Sequence, residues 1–249
     1  MAEPLESKGT ITVVHLYPRE MSIYGDLGNT RCLAKRIERH GYTPEVIAHA
    51  PGEEFPSHGH LFVGGGGQDS GQARVEADLE RNAAALRALA EDGIPMLMIC
   101  GMYQLFGNAF ITTDGRRLPG LGILDVTTQG NSTRMIGPIV LDTVVGKVVG
   151  YENHSGATTL GESQAAFGTV AYGHGNNGSD KTEGARTKNV FGSYLHGPIL
   201  PANPPLADLL IGLAAVRATG RPFEPERLLD TVADQARLRQ VRRLLGPGS

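Results

Sequence analysis

The stretch IPMLMICGMYQLFG, residues 94 to 107, decides the fold and raises the question of function. Its first half is an apolar run that ends on Cys100, with Gly101 directly behind it. A short apolar run closed by a breaker reads as a strand buried in a parallel sheet, and MYQLFG reads as a helical turn. By burial habits alone, a cysteine in that place is core. A sharp strand-to-helix turn instead projects its side chain off the sheet, as in the nucleophile elbow of hydrolases. A helix N-terminus at the same point favours thiolate. The Gly101 N–H would point to the same place and suits an oxyanion. Both readings of Cys100 stand at this level.

Working outward, strands and helices alternate. TITVVHL (10–16) is β-branched and apolar, a buried strand. Asn29 or Thr30 is placed to cap a helix through RCLAKRIERH that Gly41 stops. EVIA and HLFV are two more short strands, and GGGGQD (64–69) follows the second. Val75, Leu79, Leu86 and Leu89 recur at helical spacing up to Gly93. This is the pattern of an open, mostly parallel sheet flanked by helices, flavodoxin-like in kind. From about 109 to 195 the pattern changes. GPIVLDTVV, GKVVGYE and NVFGSYLH suggest additional antiparallel strands in the C-terminal half. Two helices, PLADLLIGLAAVRATG and EPERLLDTVADQARLRQVRRLLG, close the chain. One domain over 1–249 is expected, with 1–8 a flexible N-terminus.

Composition narrows the function classes. The chain has 249 residues, enough for one sizeable α/β core. A formal charge of −3 without a basic patch argues against nucleic acid. The most basic stretch, RLRQVRR, reads as the wet face of a helix. No apolar stretch reaches the length of a membrane span, and no secretory signal is visible, so a cytoplasmic protein is expected. Cys32 and Cys100 form no C-x-x-C pair, and no metal site is expected in this chain.

Two further elements bear on Cys100. The four glycines of GGGG offer backbone N–H groups at a strand end. They lack the helix and acidic residue of a dinucleotide fingerprint, and no G-K-[ST] follows. A flexible turn is the alternative. Of eight histidines, His196 in SYLHGP ends an apparent strand, and His154 in GYENHSG is its rival. A neutral imidazole beside a thiol can take its proton, the Cys–His logic of acyl transfer.

The ordered set GGGG, CGMYQLFG and SYLHG resembles the class I, triad-type glutamine amidotransferases. HLYPREMSIYGDLGNTRCLAKR, VGGGGQDSGQ, GNSTRMIGPIV and GYENHSG are similar to the cobyric acid synthase-related branch. Within it they most resemble the glutaminase subunits of lipid II isoglutaminyl synthases. The resemblance spans most of the chain. It implies Cys100 as nucleophile, His196 as base, Gly66 and Gly101 at the oxyanion hole, and Gln104 and Arg134 at the substrate. An arginine fork suits a glutamine α-carboxylate. The wider class follows its histidine with x-Glu, whereas Pro198 stands in that place here. The third group then comes from elsewhere in the chain, from a partner, or is missing, as in the cobyric acid synthase branch. Asp26, in MSIYGDLGN, reads as a helix cap or a partner-facing residue.

The same resemblance implies hydrolysis of L-glutamine through a Cys thioester, with no cofactor in this chain. The ammonia would pass to a Mur-ligase-like synthetase subunit in a heterodimer, which amidates the D-glutamate α-carboxyl of membrane-bound lipid II to D-isoglutamine. ATP, Mg²⁺ and any zinc would sit on that partner. Cobalamin-pathway-type amidotransferases and other cysteine hydrolases on the same scaffold are the alternatives. The former join a synthetase domain in one chain, for which 249 residues leave no room.

Overall fold

The computed structural model describes residues 6–56, 58–67 and 69–248. The first half alternates as its apolar runs require: β1 (Thr10–Leu16), α1 (Leu27–Arg39), β2 (Thr43–His49), β3 (Leu61–Gly64), α2 (Asp69–Glu91), β4 (Met96–Ile99) and α3 (Gly101–Phe106). A second group follows: β5 (Ala109–Ile111), β6 (Arg117–Pro119), β7 (Val126–Thr143), β8 (Gly146–Leu160), β9 (Gly168–Tyr172) and β10 (Thr182–Glu183). The chain then runs through β11 (Ala185–Thr187), β12 (Val190–Ser193), β13 (Leu195–His196), α4 (Ile199–Ala202), α5 (Pro204–Thr219) and α6 (Thr231–Leu245).

One sheet has the order β2-β1-β3-β4-β12-β11 and is parallel except for the β11–β12 pair. β3, β4 and β12 are buried at every residue, as strands covered on both faces must be. β2 lies at the edge, mostly uncovered, and carries Pro44, which such a position tolerates. The second sheet is built on the long β7–β8 hairpin, with β9 and β5 on the other edge of β7 and β13 on β8. A mostly parallel sheet with an antiparallel extension is the architecture expected from the sequence.

Local details differ from the sequence reading. Asn29 and Thr30 do not cap α1, which starts earlier, at Leu27. Asn29 Oδ1 accepts from Leu200 N–H at 3.0 Å, and Thr30 Oγ1 meets His15 Nδ1 at 3.0 Å. Asp26 takes the cap position but makes no side-chain capping bond; Ser22 Oγ accepts from Leu27 N–H instead. The last helix begins at Thr231, not at EPER. The preceding segment has no regular secondary structure and is pinned in place: Arg36 holds both Asp208 and Asp230, and Glu226 N–H donates to His40 Nδ1. Of the expected flexible N-terminus, residues 1–5 lie outside the described residues. Lys8 donates from its N–H to Gly41 O and from Nζ to Glu226.

The topology gathers four strand ends at one edge. Asp26 follows β1, the glycine loop follows β3, Cys100 follows β4, and His196 lies just beyond β12. Functional groups in open α/β sheets collect outside these carboxyl ends.

Candidate active site

Cys100 is held between two hydrogen-bonded systems. Its N–H donates to Ser193 O at 2.8 Å, extending the β4–β12 ladder, and its carbonyl accepts from Gln104 N–H at 3.0 Å, opening α3. One residue must end a strand and start a helix, and it does so at φ 52°, ψ −105°. Non-glycine residues avoid that region, at a cost of about 1–3 kcal/mol when surroundings impose it. Cys100 also lines a cavity of about 410 Å³, a size typical of small-molecule sites.

His196 arrives by crossing between sheets. Ser193 pairs with Ile99 in the parallel sheet, while Leu195 and His196 pair with Glu152 and Tyr151 of β8. Tyr194 is the joint between them. The His196 ring is 3% exposed and lies against Tyr24, with ring centroids 4.4 Å apart.

Asp26 stands behind this ring. Its Oδ1 is 3.6 Å from His196 Nδ1, an ion-pair separation longer than a hydrogen bond. Its Oδ2 accepts from Gly66 N–H at 2.7 Å. Burial alone would lower the His196 pKa. The nearness of Asp26 and Cys100, with the charges of both, outweighs it and raises the pKa to about 9. The imidazole therefore carries its proton at neutral pH.

The sequence left the third group open and read Asp26 as a cap or a partner-facing residue. Its side chain instead turns inward, 3% exposed, toward His196. Pro198 lies close by. It packs on Gly28, where a Cβ would fall 2.3 Å from Pro198 Cγ, so only glycine at the start of α1 permits the approach.

Gly66, Gly101, Gln104 and Arg134 are all brought to this edge, though not all in the expected manner. The Gly66 N–H is committed to Asp26, so the loop's oxyanion donor, expected at Gly66, is not free there. Gly67 lines the cavity, and its nitrogen lies 3.1 Å from the point where a Gly101 side chain would begin. Gln104 is held at both ends: its Oε1 accepts from Gln72 Nε2 at 2.7 Å, and its Nε2 donates to the Tyr194 hydroxyl at 3.1 Å. Arg134 lines the far side of the cavity, fastened to Asn153 Oδ1 by Nε at 3.2 Å and by Nη2 at 2.7 Å. Asn153 and Gln72 went unread in the sequence, since an isolated amide gives no motif. No cluster of three or more potential metal ligands occurs among the described residues. No helix among them is long and apolar enough to cross a membrane.

Residues 12–204 match the CobB/CobQ-like glutamine amidotransferase domain. The chain belongs to the CobB/CobQ-like glutamine amidotransferases. The GatD subunit of the glutamine-hydrolyzing lipid II isoglutaminyl synthase of Staphylococcus aureus is 38% identical over 91% of this chain and 93% of its own. Its Streptococcus pneumoniae counterpart is 35% identical over 86% and 84%. A probable cobyric acid synthase of Methanoculleus marisnigri is 34% identical, over 56% of this chain and only 28% of its own. Among solved structures, PurLQS of Thermotoga maritima aligns over 85% of this amidotransferase and 97% of the matched chain, with a TM-score of 0.54 at 17% identity. A crystal structure described as a glutamine amidotransferase aligns over 82% and 99%, with a TM-score of 0.56 at 16% identity. At these identities the structural likeness speaks for the fold.

Proposed function

We propose that this chain is the glutamine-hydrolysing subunit of a lipid II isoglutaminyl synthase. The observation that carries the reading is Cys100 on its strained turn, backed by His196 and Asp26 and opening on a cavity bordered by Arg134. The near full-length likeness to GatD subunits, against the partial overlap with cobyric acid synthases, selects among amidotransferases.

The chemistry follows from the groups in place. Arg134 grips the α-carboxylate of L-glutamine, pre-oriented by Asn153. Cys100 thiolate attacks the side-chain carboxamide carbon. The oxyanion is met by the backbone N–H groups of Gly101 and Gly67. His196, protonated at neutral pH, gives its proton to the leaving ammonia and then takes one from water, which releases glutamate from the thioester. Asp26 holds the imidazole and supports its charge, the role usually taken by the glutamate that Pro198 replaces. Gln104, held by Gln72 and Tyr194, stiffens the wall beside Cys100.

The ammonia goes to a Mur-ligase-like synthetase subunit in a cytoplasmic heterodimer. That subunit activates the D-glutamate α-carboxyl of the lipid II stem peptide with ATP and Mg²⁺, and any zinc belongs to it as well. The test is the reconstituted pair carrying Cys100→Ala. It should release no glutamate from glutamine, yet still amidate lipid II when ammonium is supplied. Glutamate release at the wild-type rate would remove Cys100 from the role. Failure of any such synthetase to accept ammonia from the wild-type chain would remove lipid II from the reading.

A further inference from the structure

Among the described residues that line the cavity, two buried side-chain atoms have no hydrogen-bond partner: His154 Nε2 and Gln72 Oε1. Both residues line the cavity and are 3% and 1% exposed. A bare acceptor so deeply buried costs free energy until a donor meets it.

The other ring nitrogen fixes the state of His154. Nδ1 lies 2.8 Å from the Gly156 carbonyl oxygen, which can only accept, so Nδ1 carries the hydrogen. The ring is neutral. Burial lowers its pKa to about 4, against the bond to Gly156 and with the positive charges of His196, Arg134 and His174. Nε2 therefore carries a lone pair with no partner. The ring stacks on Tyr194 at 3.7 Å and 3°, which fixes its plane, and the Tyr194 hydroxyl is held by Thr158 and Gln104.

Position separates the two orphan acceptors. Gln72 belongs to the Cys100 end: its Nε2 is 2.9 Å from the point where a Gly101 side chain would begin. His154 lines the same cavity as Arg134 and directly follows Asn153, which holds Arg134; the charges of His196 and Arg134 both act on its ring. An α-amino acid carries its carboxylate and its ammonium on one carbon, so the groups that read them must be neighbours. No Asp or Glu is among the described residues lining the cavity, which leaves a neutral lone pair as the acceptor beside Arg134.

We propose that His154 Nε2 accepts a hydrogen bond from the α-ammonium of the glutamine substrate while Arg134 holds the α-carboxylate, so that His154 selects an α-amino acid over its deaminated counterpart. This rests on the glutaminase reading above.

The test compares L-glutamine with glutaramate, the same carbon chain without the α-ammonium, using the full chain with its synthetase partner. His154→Phe keeps a ring to stack on Tyr194 and removes the acceptor. It should raise KM for glutamine by about tenfold to a hundredfold, the loss of one hydrogen bond to a charged group, with kcat little changed. Glutaramate kinetics should stay near wild type, so the preference for glutamine collapses. His154→Gln, which restores a carbonyl acceptor, should recover part of it. An equal loss on both substrates, or an intact preference in His154→Phe, overturns the proposal. Should His154→Phe not fold, ¹⁵N-histidine NMR of the Cys100→Ala chain decides. The Nε2 resonance should move on adding L-glutamine and hold still on adding glutaramate; movement with both, or with neither, overturns it. A wild-type protein inert toward L-glutamine sinks the glutaminase reading first, and this inference with it.

Discussion

Gly66→Ala should damage catalysis and cost the fold a comparable amount. A methyl group built at Gly66 would lie 2.9 Å from His196 Cε1, 3.2 Å from Cys100 Cβ and 3.4 Å from Asp26 Oδ2. Ordinary carbon contacts sit at about 3.5–4.0 Å, so the imidazole has to retreat by roughly 0.6 Å or more. Misplacement of a reacting group by about 1 Å can cost about a hundredfold in rate. Scaled to the shift required here, kcat/KM for glutamine hydrolysis should fall by about tenfold to a hundredfold. The loss should appear in kcat, because the Arg134 end of the cavity is untouched. Overpacking one methyl group should cost about 1–3 kcal/mol of stability. The assay is glutamate release by the purified pair at saturating and limiting glutamine, with a thermal melt of the same sample. Ammonium-driven amidation by the partner serves as the control and should be unchanged. A variant with wild-type kcat/KM and an unshifted melt would refute the convergence of these three residues on Gly66. A raised KM at constant kcat would move the effect from the catalytic groups to the pocket.

Three other outcomes follow from the structure. Asp26→Asn removes the charge that helps raise the His196 pKa to about 9, so the alkaline limb of the kcat/KM profile, expected near that value, should move to lower pH; a limb that stays in place would clear Asp26 of any part in it. His15 is buried with its pKa lowered to about 4, by burial against the pull of Asp26, so its contribution is present above about pH 6.5 and is lost as pH falls toward 4. Going from about pH 7.5 to about pH 4.5 should cost about 2.5 kcal/mol through this group, and His15→Asn should show a correspondingly smaller acid loss in denaturant melts. Arg36 is 5% exposed and binds both Asp208 and Asp230, so Arg36→Leu, which strands two carboxylates, should destabilise by about 3 kcal/mol in urea titrations; a loss below about 1 kcal/mol would show that the pairs are not holding the segment before α6.

The site divides into parts that local sequence can express and parts that it cannot. Cys100 was legible because an apolar strand, a glycine and a helical turn are all encoded within fourteen residues, 94 to 107. His196 was legible as the end of a strand, although the switch of sheets at Tyr194 was not: NVFGSYLH reads as one strand and is two. The β7–β8 hairpin looked like short pieces, GPIVLDTVV and GKVVGYE, separated by Gly, Asn and Ser. A long hairpin absorbs them, with a register shift between Gly130 and Met135. Asp26 read in the sequence as a cap or a partner-facing residue and was not linked to His196. Its chemistry depends on residues 40 and 170 positions away, and its place before a helix fits capping equally well. Pro198 misdirected the reading in the same way. It marks a missing carboxylate in the chain, yet in space it packs on Gly28, two residues from Asp26.

The crossing at Tyr194 has a mechanical consequence. Cys100 rides on the parallel sheet through Ser193, while His196 rides on β8 of the other sheet. The arm formed by β7 and β8 also carries Arg134, Asn153 and His154. A displacement of that arm would change the separation between Cys100 and His196, with Tyr194 at the joint. Its ring clamps His154 on one side while its hydroxyl is tied to Gln104 of the elbow. Under the glutaminase reading, holding an amino acid on the arm and setting the distance between Cys100 and His196 would draw on the same linkage.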